Sequence, residues 1–172
     1  MFKDVMIDLE TMGTEADAPV VSIGAVFFDI EKEKLGPTFQ MVINLDDQFK
    51  LGRKPSASTI KWWMGQNDAA KKVFSDQGQS PEEVLKLFRD WFNQFKNKPH
   101  AWGNGSTFDI TILESLFKDV GYREPWEYNK VMDLRTYKRF NVKDSFVKGE
   151  VAHDALKDAI AQAEMVIFHS KK

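Results

Sequence analysis

Two carboxylates near the start of the chain have the spacing of metal ligands. Asp8 and Glu10 lie in Val5–Thr11, an apolar segment that predicts an opening β-strand. Side chains alternate across a strand, so both acids share one face with Met6. Hard cations such as Mg²⁺ and Mn²⁺ prefer several oxygen ligands, which such a face would present together. The alternative is a solvated strand edge, because 29% of the residues are charged. Unpaired charge is nevertheless costly in so apolar a segment, and this favours a metal site.

A third acid, Asp109, follows a glycine-rich turn. Gly103–Gly105 leaves a short predicted strand, and Ser106 or Thr107 is expected to cap the helix that begins near Asp109. The helix dipole favours an acid in the first turn whatever its function, which is the purely structural alternative. The glycines also let the backbone pass close to a ligand, so Asp109 remains a candidate site residue.

A histidine stands five residues before a fourth acid, as His153 and Asp158. Positions five apart diverge by about 140° on a helix, so the two side chains could not converge if both were helical. We therefore expect His153 in a loop, Asp154 as the N-cap, and Asp158 projecting from the helix toward the strand of Asp8. Alanines at every fourth position from Ala155 would let this helix lie close to the sheet. The spacing is common by chance, and its weight comes from its order after the other two motifs.

Four carboxylates and one histidine meet the chemical needs of phosphodiester hydrolysis. Two metal ions about 4 Å apart can clamp the attacking and leaving oxygens. An ordinary histidine titrates near pH ~6.5 and can take the proton from the attacking water. The sequence thus predicts a two-metal phosphodiesterase that uses Mg²⁺ or Mn²⁺.

The composition is that of one globular domain. The chain has 172 residues, 42% of them hydrophobic and 13% aromatic. No apolar run approaches the ~20 residues of a membrane span, and the N-terminus lacks a signal-peptide pattern. Cysteine is absent, which excludes disulfides and thiolate metal sites. We therefore expect a cytoplasmic protein with no membrane partner.

The net charge of the chain is −2, whereas proteins that bind long nucleic acids through many phosphates are usually positively charged. The most basic segment runs from Lys130 to Lys148 and contains six cations and two acids. An ordinary solvated face is an equally good interpretation of that segment. If the substrate is nucleic acid, we expect a short end held largely by metals.

The order of predicted elements indicates an α/β fold. Strands at residues 20–28 and 38–43 follow the first, a polar loop covers 44–56, and short strands are expected at 100–102 and 131–134. Helices are predicted at 59–65, at 69–74, from a capping box at 80–83, at 109–120 and at 154–168. Three antiparallel strands followed by alternating helices and strands predict a ribonuclease-H-like, mixed five-stranded sheet with helices on both faces.

The three motifs together resemble the DEDDh superfamily of 3′→5′ exonucleases, named for its four acids and its histidine. The tyrosine subclass is disfavoured, since no Tyr precedes an Asp by four positions. Within the superfamily the chain is similar to the mycobacterial-type 3′→5′ exoribonuclease family, which also occurs in phages and prophages. If a phage encodes the chain, the resemblance implies a location in the host cytoplasm. The resemblance covers a single domain over residues 1–172. Besides the catalytic motifs, it includes the turn Trp102–Gly105 and the segment Thr59–Trp63 followed by Gln66.

The resemblance implies a role for each site residue. The metal ligands would be Asp8, Glu10, Asp109 and Asp158, and the general base would be His153. The terminal nucleotide would contact Thr11, Met12, Trp102, Asn104 and Phe108. Trp62 and Trp63 are expected to be core or subunit-contact residues rather than base stackers, because large aromatics on a helix are usually buried. The family also suggests a homodimer.

The resemblance further implies the reaction, which is removal of nucleoside 5′-monophosphates from the 3′ end of single-stranded nucleic acid. RNA or RNA overhangs are expected to be modestly preferred over DNA. Two alternatives remain open at this point. A catalytically silent nucleic-acid-binding module would have lost a metal-ligating acid, and none is lost here. A ribonuclease-H-type endonuclease or another metal phosphoesterase would lack the element from His153 to Asp158.

Overall fold

A computed structural model describes residues 2–141 and 153–170 of the chain. Two cations of the basic segment, Lys143 and Lys148, lie outside these residues. Among the described residues, no helix is both long enough and apolar enough to cross a membrane.

Five strands form one mixed sheet in the order β3-β2-β1-β4-β5. The first three strands are antiparallel neighbours, whereas β4 runs parallel to both β1 and β5. This is the mixed sheet that the sequence predicts, and the prediction is confirmed. The strands are β1 (Asp4–Thr11), β2 (Val20–Asp29), β3 (Lys34–Val42), β4 (His100–Gly103) and β5 (Val131–Asp133).

Helices cover both faces of the sheet, as expected. One face packs under α4 and α5 and receives Val5, Ile7 and Leu9 of β1. The opposite face receives Met6 and packs under α7 and the start of α6. The helices are α1 (Leu45–Lys50), α2 (Ala57–Met64), α3 (Asp68–Lys71), α4 (Pro81–Phe92), α5 (Asp109–Asp119), α6 (Leu134–Asn141) and α7 (Ala155–His169), with 3₁₀ turns at Lys72–Ser75 and Tyr128–Lys130.

Several local expectations need correction. The predicted loop at 44–56 contains α1, which Asn44 caps and which Gln48 ties to both backbone polar groups of Val20. The helix expected at 69–74 is α3 followed by a 3₁₀ turn. Neither residue proposed to cap α5 does so, because Phe108 occupies the N-cap position without a side-chain hydrogen bond. In each case a tertiary contact or a tight backbone turn outweighs the local pattern.

Helix α4 begins where its capping signal predicts. The hydroxyl of Ser80 accepts a hydrogen bond from the Glu83 amide, and Pro81 occupies the first turn. The helical spacing of apolar residues predicts a buried stripe of Val84, Leu87, Phe88, Trp91 and Phe95, and this prediction is only partly right. Leu87 is 43% exposed, whereas Leu85 and Phe92 are fully buried. The buried face is therefore rotated relative to the predicted one.

Candidate active site

Small residues bring the start of α7 directly onto the sheet. Ala155, Ala159 and Ala163 are buried, as the alanine spacing predicts. Gly24 of β2, which pairs with Asp8, lies beneath the first turn of α7. A Cβ atom at Gly24 would stand 2.1 Å from the carbonyl carbon of Ala155, a distance that no real contact shows. This close approach places Asp158 over β1.

Three carboxylates meet where α7 crosses β1. One oxygen from each of Asp8, Glu10 and Asp158 lies within 4.8 Å of the others. Glu10 and Asp158 are buried and Asp8 is half-buried. A buried set of hard oxygen donors suits Mg²⁺ or Mn²⁺, and so close a group of like charges is costly unless a cation or protons neutralise it. The arrangement therefore fits a divalent cation.

Asp109 lies beside this cluster at the first turn of α5. Its two carboxylate oxygens accept hydrogen bonds from the backbone amides of Leu9 at 3.2 Å and Asn104 at 3.0 Å. The absence of a side chain at Gly103 makes room for it, since a Cβ there would lie 3.2 Å from the Asp109 Cβ. The glycine-rich turn thus holds a buried carboxylate against the strand that carries Asp8.

The electrostatics of the cluster favour uptake of protons or cations. Burial raises the pKa of Asp109 to about 7, although the backbone amides of Leu9 and Asn104 oppose the rise. Burial, followed by repulsion from Asp109, raises the pKa of Asp8 well above its ordinary value. A cation that binds here would displace protons from both carboxyl groups.

Gln162 also contacts the acids, and we did not identify it from the sequence. Its side-chain amide donates a hydrogen bond of 2.6 Å to Asp8 Oδ1, which opposes the rise in the pKa of Asp8. The residue is buried and lines the same cavity. The sequence could have indicated Gln162, because it lies four residues after Asp158 on the predicted helix and therefore shares its face.

His153 precedes α7, as expected, and aromatic rings hold it. Its φ of 45° is in the left-handed region, so the surrounding structure must fix this backbone turn. The imidazole lies edge-on to Trp62, with ring centroids 4.8 Å apart, and 6.4 Å from Trp63. Asp154 caps α7 by accepting from the amides of Leu156 and Lys157, which confirms its predicted role.

A cavity of about 550 Å³ opens over the acids and brings most of the predicted site together. Its wall includes Asp8, Glu10, Asp158 and His153, while Asp109 lies just behind it, against Leu9 and Asn104. Of the five residues expected to contact the nucleotide, Thr11, Asn104 and Phe108 line the cavity. Ser58, Thr59 and Thr14 add hydroxyl groups that the sequence argument overlooked.

The structure does not place Trp102 or Met12 in this cavity. Trp102 is 3% exposed in the core beneath α7, and its indole N–H donates to Asp4 Oδ1 at 2.8 Å. The Met12 side chain is half-buried and is not part of the cavity wall. The backbone of Met12 instead bonds to Pro19 and Ser56.

The two tryptophans of α2 have different environments. Trp63 is buried, as expected, and its indole N–H donates to the Thr11 carbonyl at 2.9 Å. Trp62 is 43% exposed and forms part of the cavity wall, so its assignment to the core is corrected, whereas a subunit contact at Trp62 stays a prediction. The spacing of adjacent aromatics could not show which of the two faces the site.

Comparison with known proteins settles the family. Residues 3–169 match the family described as the Rv2179c-like 3′-5′ exoribonuclease domain. The chain belongs to this family. An exodeoxyribonuclease of Enterobacteria phage T4 is 30% identical over 129 residues, which are 68% of this chain and 56% of that protein. The Rv2179c-like chain thus spans little more than half the length of this relative.

Solved structures of exonucleases share the fold of this chain. Escherichia coli exonuclease I in complex with a 5cy-dA13 oligonucleotide superposes with a TM-score of 0.65 at 16% identity, over 94% of this chain and 38% of that one. The nuclease domain of 3′hExo, a DEDDh family member bound to rAMP, gives 0.64 at 17% identity over 97% and 91%. These likenesses confirm the ribonuclease-H-like fold.

Proposed function

We propose that this Rv2179c-like protein is a 3′→5′ exonuclease that shortens single-stranded nucleic acid and releases nucleoside 5′-monophosphates. The observation that carries the proposal is the meeting of Asp8, Glu10 and Asp158 beneath a cavity whose wall contains His153. Membership in a family described as 3′-5′ exoribonuclease supports the direction of attack.

Two divalent cations, Mg²⁺ or Mn²⁺, would be held by Asp8, Glu10, Asp158 and Asp109. When bound, such ions polarise the phosphate and lower the pKa of the attacking water. The strand β1 supplies two ligands from a rigid element, and α7 supplies a third across a fixed helix–sheet contact. Asp109 would join through the oxygen lone pairs that the two backbone amides leave available.

His153 would accept the proton of the attacking water. Its ring lies against Trp62, and Trp63 hydrogen-bonds the Thr11 carbonyl at the end of β1. The contact with Trp62 would hold the imidazole at the cavity wall, where it would act as a base and not as a ligand of the cations. A positioned base of this kind typically contributes about 10²–10⁴-fold to the rate.

The cavity volume and wall suit one unpaired nucleotide. About 550 Å³ lies within the range of ~300–1,000 Å³ that small-molecule sites occupy. Phe108 and Trp62 offer flat apolar surfaces for a base, and Thr11 and Asn104 offer hydrogen-bonding groups. A single strand can deliver such a base to the cavity, whereas a duplex must first unpair.

We further propose a modest preference for RNA, on the family description alone. The family is described as exoribonuclease, whereas the T4 relative is named an exodeoxyribonuclease, so the two descriptions favour different substrates. Matched RNA and DNA oligomers of one sequence, at equal metal and salt, decide the matter. Faster degradation of the DNA would overturn the preference and leave the exonuclease proposal standing.

Degradation of 5′-labelled oligomers with Mg²⁺, Mn²⁺ or EDTA tests the function. A 3′→5′ exonuclease gives a ladder of products that shorten by one nucleotide, and EDTA abolishes it. A circular single strand should survive, because it has no end. Cleavage of the circle would favour the endonuclease alternative, and binding without cleavage would favour a silent module.

A further inference from the structure

We propose that Arg53 is a positioning residue for the substrate, which acts from behind the cavity on the wall that holds the terminal nucleotide. The proposal rests on the exonuclease function. Arg53 lies in the segment between α1 and α2, residues 51–56, and is 3% exposed. It is not part of the cavity wall, so it can act on the substrate only through the residues that it bonds. These residues lie on α5 and on residues 12–19, which we call the β1–β2 loop.

Every nitrogen of the Arg53 guanidinium donates hydrogen bonds. Nε and Nη2 donate to the Ala18 carbonyl at 3.0 and 2.7 Å, and Nη2 also donates to the Ala16 carbonyl at 3.0 Å. Nη1 donates to Ser115 Oγ at 3.2 Å and to Asp119 Oδ2 at 2.6 Å. The first two acceptors belong to the β1–β2 loop and the last two to α5. The guanidinium therefore connects this loop to α5.

The β1–β2 loop depends on backbone contacts for its position. Its residues 14–17 are exposed, so apolar packing contributes little to holding them. The Lys54 amide donates to the Asp17 carbonyl at 3.2 Å, and the Ser56 amide donates to the Met12 carbonyl at 2.8 Å. The segment between α1 and α2 therefore determines where this loop lies.

Both elements that Arg53 connects contribute to the cavity wall. Gly13 and Thr14 of the β1–β2 loop line the cavity, and so does Phe108 at the N-cap of α5. Gly13 lies directly against the segment of Arg53, since a Cβ there would stand 3.5 Å from the Ser56 amide nitrogen. Loss of the guanidinium contacts should therefore displace one part of the nucleotide wall relative to the other.

The metal ligands are held by other contacts. Asp8 and Glu10 lie within the middle strand of the sheet, and Asp158 reaches them from α7. Asp109 accepts hydrogen bonds from two backbone amides beside them. A variant of Arg53 should therefore weaken the hold on the nucleotide and leave the cations bound.

Calorimetry and steady-state kinetics of Arg53→Lys and Arg53→Met test this role. Lysine keeps the charge as a single ammonium, which cannot span the loop and the helix as the guanidinium fork does, and methionine removes every donor. The matched control is Trp126→Phe, which removes a hydrogen bond of 2.8 Å to Glu114 of α5 and leaves the contacts of the β1–β2 loop in place. The probes are Mn²⁺, adenosine 5′-monophosphate with Mn²⁺ present, and a 5′-labelled octanucleotide.

For both Arg53 variants we expect the Kd of adenosine 5′-monophosphate and the KM of the octanucleotide to rise together by about tenfold, because a displaced wall loses part of its contact with the ligand. Their kcat and their Kd for Mn²⁺ should stay within about threefold of wild type, as when binding is lost equally from the ground state and the transition state. Trp126→Phe should lower the unfolding midpoint and keep the wild-type KM and Kd.

Two results would overturn the proposal. If KM and the nucleotide Kd are unchanged while the unfolding midpoint or kcat falls, Arg53 is a purely structural residue. If the Mn²⁺ affinity falls in parallel with the nucleotide affinity, Arg53 supports the metal site and not the nucleotide wall. Should Arg53→Met fail to fold, Arg53→Lys, which keeps a positive charge near Asp119, decides between these outcomes alone.

Failure of this proposal and failure of the function give different results. If the wild-type protein does not shorten the octanucleotide, the exonuclease proposal fails, and hydrogen exchange still tests the role of Arg53. In Arg53→Lys the amides of Lys54 and Ser56 should exchange about tenfold faster relative to the Ile43 amide, which bonds to the Val21 carbonyl. Wild-type exchange ratios in this variant would refute the assignment.

Discussion

Replacement of Asp109 by asparagine should stabilise the metal-free protein at alkaline pH and not at acid pH. Burial raises the pKa of this carboxyl from an ordinary value near 3.8 to about 7. The folded state therefore binds a proton that the unfolded state releases, so stability is fully present below pH ~4 and is lost as the pH rises through about 7. A rise of this size corresponds to about 4 kcal/mol at pH 8.

Asparagine removes that cost and loses part of a hydrogen-bond network. Asp109 accepts from the amides of Leu9 and Asn104, one on each oxygen. An asparagine offers only one acceptor, so one amide loses its partner, at a cost of about 1–2 kcal/mol. The net gain of Asp109→Asn at pH 8 should be about 2–3 kcal/mol. At pH 5 the folded carboxyl is protonated but the unfolded one is ionised, so the cost that asparagine removes is only about 1.6 kcal/mol. The lost hydrogen bond offsets this amount, and the net gain at pH 5 should be close to zero.

Urea unfolding in EDTA at pH 5 and pH 8 measures both free energies. Saturating Mn²⁺ should raise the stability of the wild-type protein at pH 8 by more than that of the variant, because the ion neutralises the same charges. A variant no more stable than wild type at pH 8, or one that gains equally at both pH values, would refute the reasoning.

Three further predictions use four substitutions, one of which is a control. His153→Ala should lower turnover by about 10²–10⁴-fold while Mn²⁺ affinity, measured by calorimetry, is retained; loss of the metal would instead make His153 a ligand. Gln162→Met should weaken Mn²⁺ binding by about tenfold, because it removes the hydrogen bond that orients the Asp8 carboxylate. The control Gln48→Met removes a buried amide that bonds to Val20, so it should lower the unfolding midpoint and leave the Mn²⁺ affinity unchanged. Equal effects of the two glutamine variants on metal affinity would contradict that role. Gly24→Ala should displace α7 and cost about 3 kcal/mol or more in urea unfolding, and a loss under 1 kcal/mol would show that α7 does not depend on this contact.

The sequence was most informative where the periodicity of one helix or strand decides which way a side chain points. Because side chains alternate along β1, the sequence alone places Val5, Ile7 and Leu9 on the face opposite Asp8, and the structure has this arrangement. The 140° argument for His153 needs only helix geometry, and the histidine does precede α7. Both statements depend on local geometry that neighbouring elements do not alter.

Predictions were wrong where a long-range contact decides the outcome. Trp102 shares the sheet face of Asp8, but the register pairs it with Met6, so it lies nearer the start of β1 than Asp8 does and is buried beneath α7. Helix α1 depends on the amide of Gln48 reaching Val20, a contact between residues 28 positions apart. Neither the register of parallel strands nor such a contact can be predicted from spacing.

The central claim is that Asp8 belongs to the catalytic site, and it is tested most directly by comparing the turnover of two aspartate variants from the same β-strand. Asp8 and Asp4 both lie on β1 and face the same side, but Asp4 contacts the indole of Trp102 outside the cavity. With Mn²⁺ and a 5′-labelled single strand, Asp8→Asn should reduce 3′→5′ shortening to background, whereas Asp4→Asn should retain turnover within a few-fold of wild type. Wild-type turnover by the Asp8→Asn protein would contradict the assignment of the site.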